Sequence, residues 1–205
     1  YVGASAPLIR GAAAGKLVQG LAGIETFNFF CTDQWDEAGG DYAALRGLEN
    51  LETLRGKPKQ YAFATGPAVW SEPLFEYPQQ LPFVLEPQWQ RELSLPMCRE
   101  PAGAKRRFTI QVVTERGAST PDIGVGFNGS WPNYRPVPTR KLLFPLGSYT
   151  EHVPENQAFD YEFPLASIRE GWNKIVLVNG SRKRDTAQDR RDNAVIVASV
   201  ELAVR

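Results

Sequence analysis

From Leu81 to the C-terminus the sequence is punctuated as a β protein. Apolar or alternating runs recur at 81–85, 91–96, 107–114, 123–128, 141–145, 159–163, 174–178 and 194–204, with Gly, Pro, Asn and Asp between them. None of these runs can bury an apolar face alone, so together they predict about eight strands in a two-sheet antiparallel sandwich of jelly-roll type. One helical turn is expected at 165–170, ended by Gly171, and 185–193 (DTAQDRRDN) reads as a charged, solvated loop. The 16 Pro and 18 Gly, scattered along the chain, suit many short strands better than a helical bundle.

The N-terminal quarter has a different pattern. Residues 4–19 carry apolar side chains at helical spacing, and 20–30 (GLAGIETFNFF) turn into a dense β-type run, so a helix feeds a buried strand. That is one rung of an α/β barrel or sheet. A polar loop at 32–40 leads to a predicted helix over 41–48 with Asp41 as N-cap, and Asn50 is placed to cap a short turn through Leu54. Residues 57–80 form a connector containing Pro58, Pro67, Pro73 and Pro78, with one strand-like piece at 61–65. The fold class expected is therefore mainly β with an α/β N-terminal segment, divided into 1–56, the connector 57–80, and a sandwich over 81–205. The chain opens on Tyr1 and has a single Met, Met97, which reads as a C-terminal portion of something larger.

Charge excludes several functions. The 23 basic and 23 acidic residues cancel, so no basic surface is offered to nucleic acid or an acidic membrane. No apolar run approaches the roughly 20 residues of a membrane-spanning helix. Cys31 and Cys98 are either one bridge or two buried thiols, and their spacing matches no metal or redox motif. No phosphate loop, GxGxxG, CxxC or HExxH is present. His152, the one histidine, lies in the turn-rich SYTEHVPEN without a nucleophile signature near it, which reads as a surface position.

The helix, GIETFNFF, the polar loop and the short helix pair ending in LETLRGKPKQYAF resemble the last unit of TIM-barrel glycoside hydrolase-like proteins, in which a strand ending in Phe-Asn precedes a terminal helix and a β-domain. The phrases VGFNGSW (125–131), YEFPLASIREGWNKIVLVN (161–179) and IVASVELAV (196–204) resemble galactose-binding-like jelly rolls, the accessory sandwiches of many carbohydrate-active enzymes. These resemblances imply the C-terminal part of a carbohydrate-active, glycoside hydrolase-like protein. Its partners would be carbohydrate and the remainder of the parent barrel, its location extracellular or periplasmic, and this chain alone without turnover. The alternative is a self-contained, non-catalytic carbohydrate-binding or structural module.

Barrel enzymes place their chemistry at strand C-termini and the loops that follow. Here that implies Asn28, Phe30, Asp33, Gln34 and Trp35. Alternation puts Asn28 toward the barrel mouth, where its amide either meets a sugar hydroxyl or ties down neighbouring loops. Glycoside hydrolysis usually needs two carboxyl groups, about 5 Å apart for retention or about 6.5–9.5 Å for inversion. Asp33 and Glu25 are the weak catalytic candidates, and no pair of roles can be read from spacing. In the sandwich, Trp131 and Tyr134 with Asn128 and Arg135 form either a sugar platform or a plug at one end. Trp172 is expected in the core, and Trp35, Trp70 and Trp89 at the contact between the two parts. No cofactor is expected beyond a possible structural calcium held by Asp122 or Glu155.

Overall fold

The computed structural model describes residues 5–24, 45–63, 80–115, 121–143, 157–181 and 193–205. Helix α1 (Ala6–Leu17) starts where Ser5 caps it, its side chain accepting from the Leu8 N–H (3.4 Å), and its Ala-rich composition favours the helical state. Gly20, at φ +88°, follows its end. Residues 20–24, the described part of the predicted run 20–30, are turn and coil, and 25–44 lie outside the described residues. Asn50 caps the single turn α2 (Leu51–Leu54) by accepting from the Glu52 N–H (2.9 Å), as its position predicts.

Eight strands follow among the described residues. They are β1 (Lys59–Ala62), β2 (Phe83–Leu85), β3 (Gln90–Met97), β4 (Phe108–Thr114), β5 (Ile123–Phe127), β6 (Gln157–Phe163), β7 (Gly171–Asn179) and β8 (Val195–Val204). They build an antiparallel sandwich: a five-stranded sheet ordered β1-β8-β4-β6, with β2 also pairing β8, and a three-stranded sheet ordered β3-β7-β5. Seven of the predicted runs thus become strands. The run at 141–145 does not, over its described residues 141–143. Here Thr139 makes an isolated bridge to Ala158 instead. The eighth strand is β1, which pairs Lys59–Ala62 with Val204–Glu201.

Alternation puts Phe108, Ile110 and Val112 of β4 on the same inner face as Val200, Leu202 and Val204 of β8. Between Val113 and Thr114 the register jumps from Ser199 to Val197, so Ala198 is the extra residue of a bulge. The bulge keeps Val195 and Val197, opposite Leu85 and Phe83 of β2, in the core as well. Phe127 from the small sheet meets Phe108 and Phe163 from the large one, with ring centroids 4.9 and 5.7 Å away, and this cluster joins the layers.

Both open sides of the sandwich are closed. On one side α1 lies across β1 and β3. A Cβ on Gly11 would overlap the Gln60 carbonyl, and one on Gly15 would sit 3.1 Å from the Pro96 carbonyl oxygen, so the GAAAG stripe permits backbone-to-backbone approach. On the other side residues 128–139 run from the edge of β5 to the edge of β6. Tyr134 Oη there accepts from the Glu162 N–H (2.7 Å), and Thr139 and Ala158 exchange backbone hydrogen bonds (2.8 Å). Sheet edges covered in this way resist strand addition over the covered stretches.

Under α1 the core holds an ion pair. Lys59 Nζ lies 2.8 Å from Glu100 Oε1, with both side chains at most 1% exposed, and also donates to the Leu54 (2.6 Å) and Lys57 (3.0 Å) carbonyls. Glu100 Oε2 accepts from the Gly56 N–H (2.7 Å). Replacing Glu100 with Gln leaves the Lys59 ammonium with neutral partners only and is expected to cost about 3–5 kcal/mol in denaturant unfolding, with the double change Lys59→Met/Glu100→Leu recovering most of it. A loss below about 1 kcal/mol for Glu100→Gln would remove the pair from the forces holding α2 and β1 together.

On the outer face of the five-stranded sheet, Glu201 is 3% exposed; one carboxyl oxygen accepts from Gln60 Nε2 (2.8 Å) and the other has no hydrogen-bond partner among the described residues. Burial, only partly opposed by the Gln60 hydrogen bond, pushes the Glu201 carboxyl up to about 7. Because the folded-state value lies above that of the unfolded chain, the folded protein holds the extra proton, and stability falls as pH rises from about 4.5 through about 7. Denaturant titrations at pH 5 and pH 8 should show Glu201→Gln to be the more stable chain at pH 8, by about 2–3 kcal/mol, with the difference shrinking at pH 5. Equal wild-type and variant pH profiles would rule this out.

Candidate functional site

The outer face of the three-stranded sheet is open, and its floor is unusual. Gly124 and Gly126 occupy the outward positions of β5, opposite Val178 and Val176 of β7. Bare backbone at these two positions leaves a shallow bed beside the valines. Immediately afterwards the chain reverses. Asn128 and Gly129 both take positive φ (49° and 87°), and Phe127 and Ser130 exchange backbone hydrogen bonds (2.9 Å each), the arrangement of a type I′ Asn-Gly hairpin. The reversal lays Trp131 back over the bed. A Cβ on Gly126 would come within 2.7 Å of Trp131 Cε2 and Cζ2, and one on Gly124 within 3.8 Å of Cζ3. The indole thus packs on the sheet while Trp131 stays 53% exposed.

Asn128 sets this geometry. Its Nδ2 donates to the Ser167 carbonyl (2.9 Å) and to Asn173 Oδ1 (2.7 Å), while its Oδ1 accepts from the Lys174 N–H (2.9 Å). Arg169 also reaches its carbonyl (3.4 Å). With its amide committed in this way, Asn128 shapes the turn that carries Trp131. Tyr134 is 45% exposed at the β6 edge, and Arg135 pairs with Asp122 Oδ2 (3.2 Å) at the start of β5. The structure therefore brings Asn128, Trp131, Tyr134 and Arg135 onto one side of the sandwich, along the turn and the crossing segment.

Trp172 does not enter the core. It is 63% exposed, and the inward place expected for it is taken by Asn173, 1% exposed. The reason is strand parity: Asn173, Ile175, Leu177 and Asn179 point inward, so Trp172, Lys174, Val176 and Val178 point outward. Asn173 is satisfied inside by donating to the Arg169 (2.9 Å) and Gly171 (2.7 Å) carbonyls and accepting from the Arg169 N–H (2.9 Å). Trp172 and Trp131 therefore share the outer face, with Lys174 between them along β7 and its Nζ paired with Glu92 Oε2 of β3 at 2.7 Å. The signal was present in GWNKIVLVN, where the apolar positions keep phase with Asn173. Trp89, just before β3, is also exposed (65%) rather than sealed at a contact.

Other polar groups are engaged away from this face. Cys98 is a free, buried thiol 3.4 Å from Tyr61 Oη, and burial pushes it up. Glu170 is held below the usual carboxylate range by hydrogen bonds from Arg55, at 2.9 and 3.0 Å. Glu201, with its raised carboxyl, lies too deep to meet a substrate. The outer face of the small sheet can thus stack and hydrogen-bond a ligand, and it presents no acid-base pair among the described residues.

Asn28, Phe30, Gln34, Trp35 and the carboxylates Asp33 and Glu25 lie outside the described residues, as do Cys31, Trp70, His152 and Glu155. Among the described residues no group of three or more His, Cys, Asp or Glu is placed to hold a metal ion, and Asp122 is engaged by Arg135. No helix among them is long and apolar enough to cross a membrane.

No protein-family model and no curated protein matches the chain. Among solved structures it is similar to wild-type BuGH86 in complex with neoagarooctaose, at 11% identity and TM-score 0.37 over 72% of this chain and 19% of that one. It is also similar to BpGH86A, a β-porphyranase of glycoside hydrolase family 86 from the human gut bacterium Bacteroides plebeius, at 12% identity and TM-score 0.32 over 72% and 20%. The likeness is distant, and this chain spans about a fifth of the length of those proteins.

Proposed function

We propose that the chain is the C-terminal part of a carbohydrate-active, glycoside hydrolase-like protein working outside the cytoplasm. In this reading 1–56 is the terminal unit of a β/α barrel, 57–80 a connector, and 81–205 a galactose-binding-like sandwich that binds glycan. The observation that carries it is Trp131, one face laid on Gly124 and Gly126 and the residue still half exposed. A flat indole fixed in this way presents a preordered apolar surface to the C–H face of a pyranose, and little side-chain entropy is lost when the sugar docks. Arg135 and Tyr134 lie on the segment that follows and supply polar groups at its rim. The chain by itself performs no hydrolysis, since Asp33 and Glu25 would need partners from other barrel strands. A self-contained binding or structural module is the second reading, favoured by the close packing of α1 across β1 and β3.

Titration calorimetry against soluble neutral oligosaccharides, neoagarooctaose among them, tests the platform. Trp131→Ala is expected to weaken binding by about tenfold, equivalent to about 1.4 kcal/mol. Gly126→Val, which keeps the indole but lifts it from its bed, should weaken binding as well. Glycan binding that survives both changes would remove the platform, and release of reducing ends by the isolated chain would overturn the non-catalytic assignment.

A further inference from the structure

Resting on the glycan-binding reading, the geometry points to an extended and uncharged oligosaccharide as the ligand, bound along β7 with Trp172 as a second stacking position. Trp131 covers Gly126, which pairs with Val176, and Val176 lies four residues along β7 from Trp172. At the rise of an antiparallel strand that is about 13 Å, a span of about two to three sugar rings. A disaccharide stacked on one indole therefore does not reach the other. Along β7 Lys174 lies between the two, and it reaches Glu92 on β3 beside the half-buried Val176, the pair at 56% and 51% side-chain exposure. The paired ammonium and carboxylate keep free donor and acceptor capacity toward ring hydroxyls.

The occupant follows from spacing and charge. Two exposed indoles on one sheet face, joined by a narrow floor between β3 and β5, match a linear chain rather than a compact ligand. Lys174 is matched by Glu92 and Arg135 by Asp122, so the strip and its rim carry no net charge from these residues. Arg169, exposed at the Asn128 carbonyl, adds one cation at the rim, so a densely sulfated or uronic chain would soon have to break one of these pairs to gain further counter-charge, whereas a neutral chain uses both as they stand. Trp172 is mostly exposed and follows Gly171 at a strand start, so truncating it leaves the core intact.

The test is calorimetry on the full chain with neutral oligosaccharides graded from disaccharide to octasaccharide, together with sulfated counterparts. For the wild type, affinity should rise about tenfold between disaccharide and hexasaccharide, a second contact of about 1.4 kcal/mol. Trp172→Ala should abolish that rise while leaving disaccharide affinity unchanged, and Trp172→Phe should restore most of it. Sulfated chains should bind no more tightly than neutral ones, and raising the salt concentration should leave affinity unchanged. If glycans bind but Trp172→Ala leaves the chain-length dependence intact, or lowers short and long ligands alike, the second position is overturned and the Trp131 platform stands. Tighter, salt-sensitive binding of the sulfated series overturns the uncharged ligand. If no glycan binds the wild type, the glycan-binding reading itself falls.

Discussion

Strand β8 is the constraint on which the architecture depends. Over ten residues it hydrogen-bonds β4 on one side and both β1 and β2 on the other, so three separate parts of the chain are held in one sheet by one strand. It can do so because the bulge at Ala198 resets its alternation midway. Without the extra residue, one half of VIVASVELAV would turn its valines outward. The inner face it presents is the wall against which the Phe108, Phe127 and Phe163 cluster brings the smaller sheet. The position of the open outer face of β3-β7-β5 is a consequence of that docking.

Closure of the two sides then decides which surface remains for function. The glycine stripe of α1 seals the side bounded by β1 and β3, and the crossing segment 128–139 seals the side bounded by β5 and β6. The outer face of the larger sheet is also covered, since Thr109, Gln111, Ser199 and Glu201 are each at most 4% exposed. What stays open is the outer face of the smaller sheet, where apolar side chains are left in water. Nearly bare strand at Gly124 and Gly126 explains why an aromatic ring settles there.

Much of this layout was legible because half-buried antiparallel strands advertise themselves by period two. Period two is plain in β3 and β5, a dense apolar run marks β2 and β8, and Asn50 was legible as a cap because its side chain and the turn after it are local. The shift of β1 to 59–62 was less so: Lys59 is charged and Gln60 polar, and both are buried through partners far away in sequence, Glu100 and Glu201. Trp172 was misread because an aromatic residue after a glycine resembles a core position, whereas its phase against Ile175 and Leu177 assigns it outward. Trp131 was found as an aromatic in a polar setting, but its bed could be known only once the Asn128–Gly129 reversal placed it over β5. The commitment of Asn128 to the turn was equally invisible, being made of contacts to Ser167, Asn173 and Lys174 some forty residues on.

The pairing of β1 with β8 has a kinetic consequence. Lys59 meets Val204, so the ladder that completes the larger sheet joins residues separated by most of the described chain. Closing so long a loop carries an entropic cost that must be met before any of the ladder's hydrogen bonds form, which places folding among the slower, non-local class. During synthesis β4 and β6 can pair as soon as both have emerged, but β1 and β2 must wait until β8 follows them. Until β8 arrives, the inner faces of these early strands have no sheet to join.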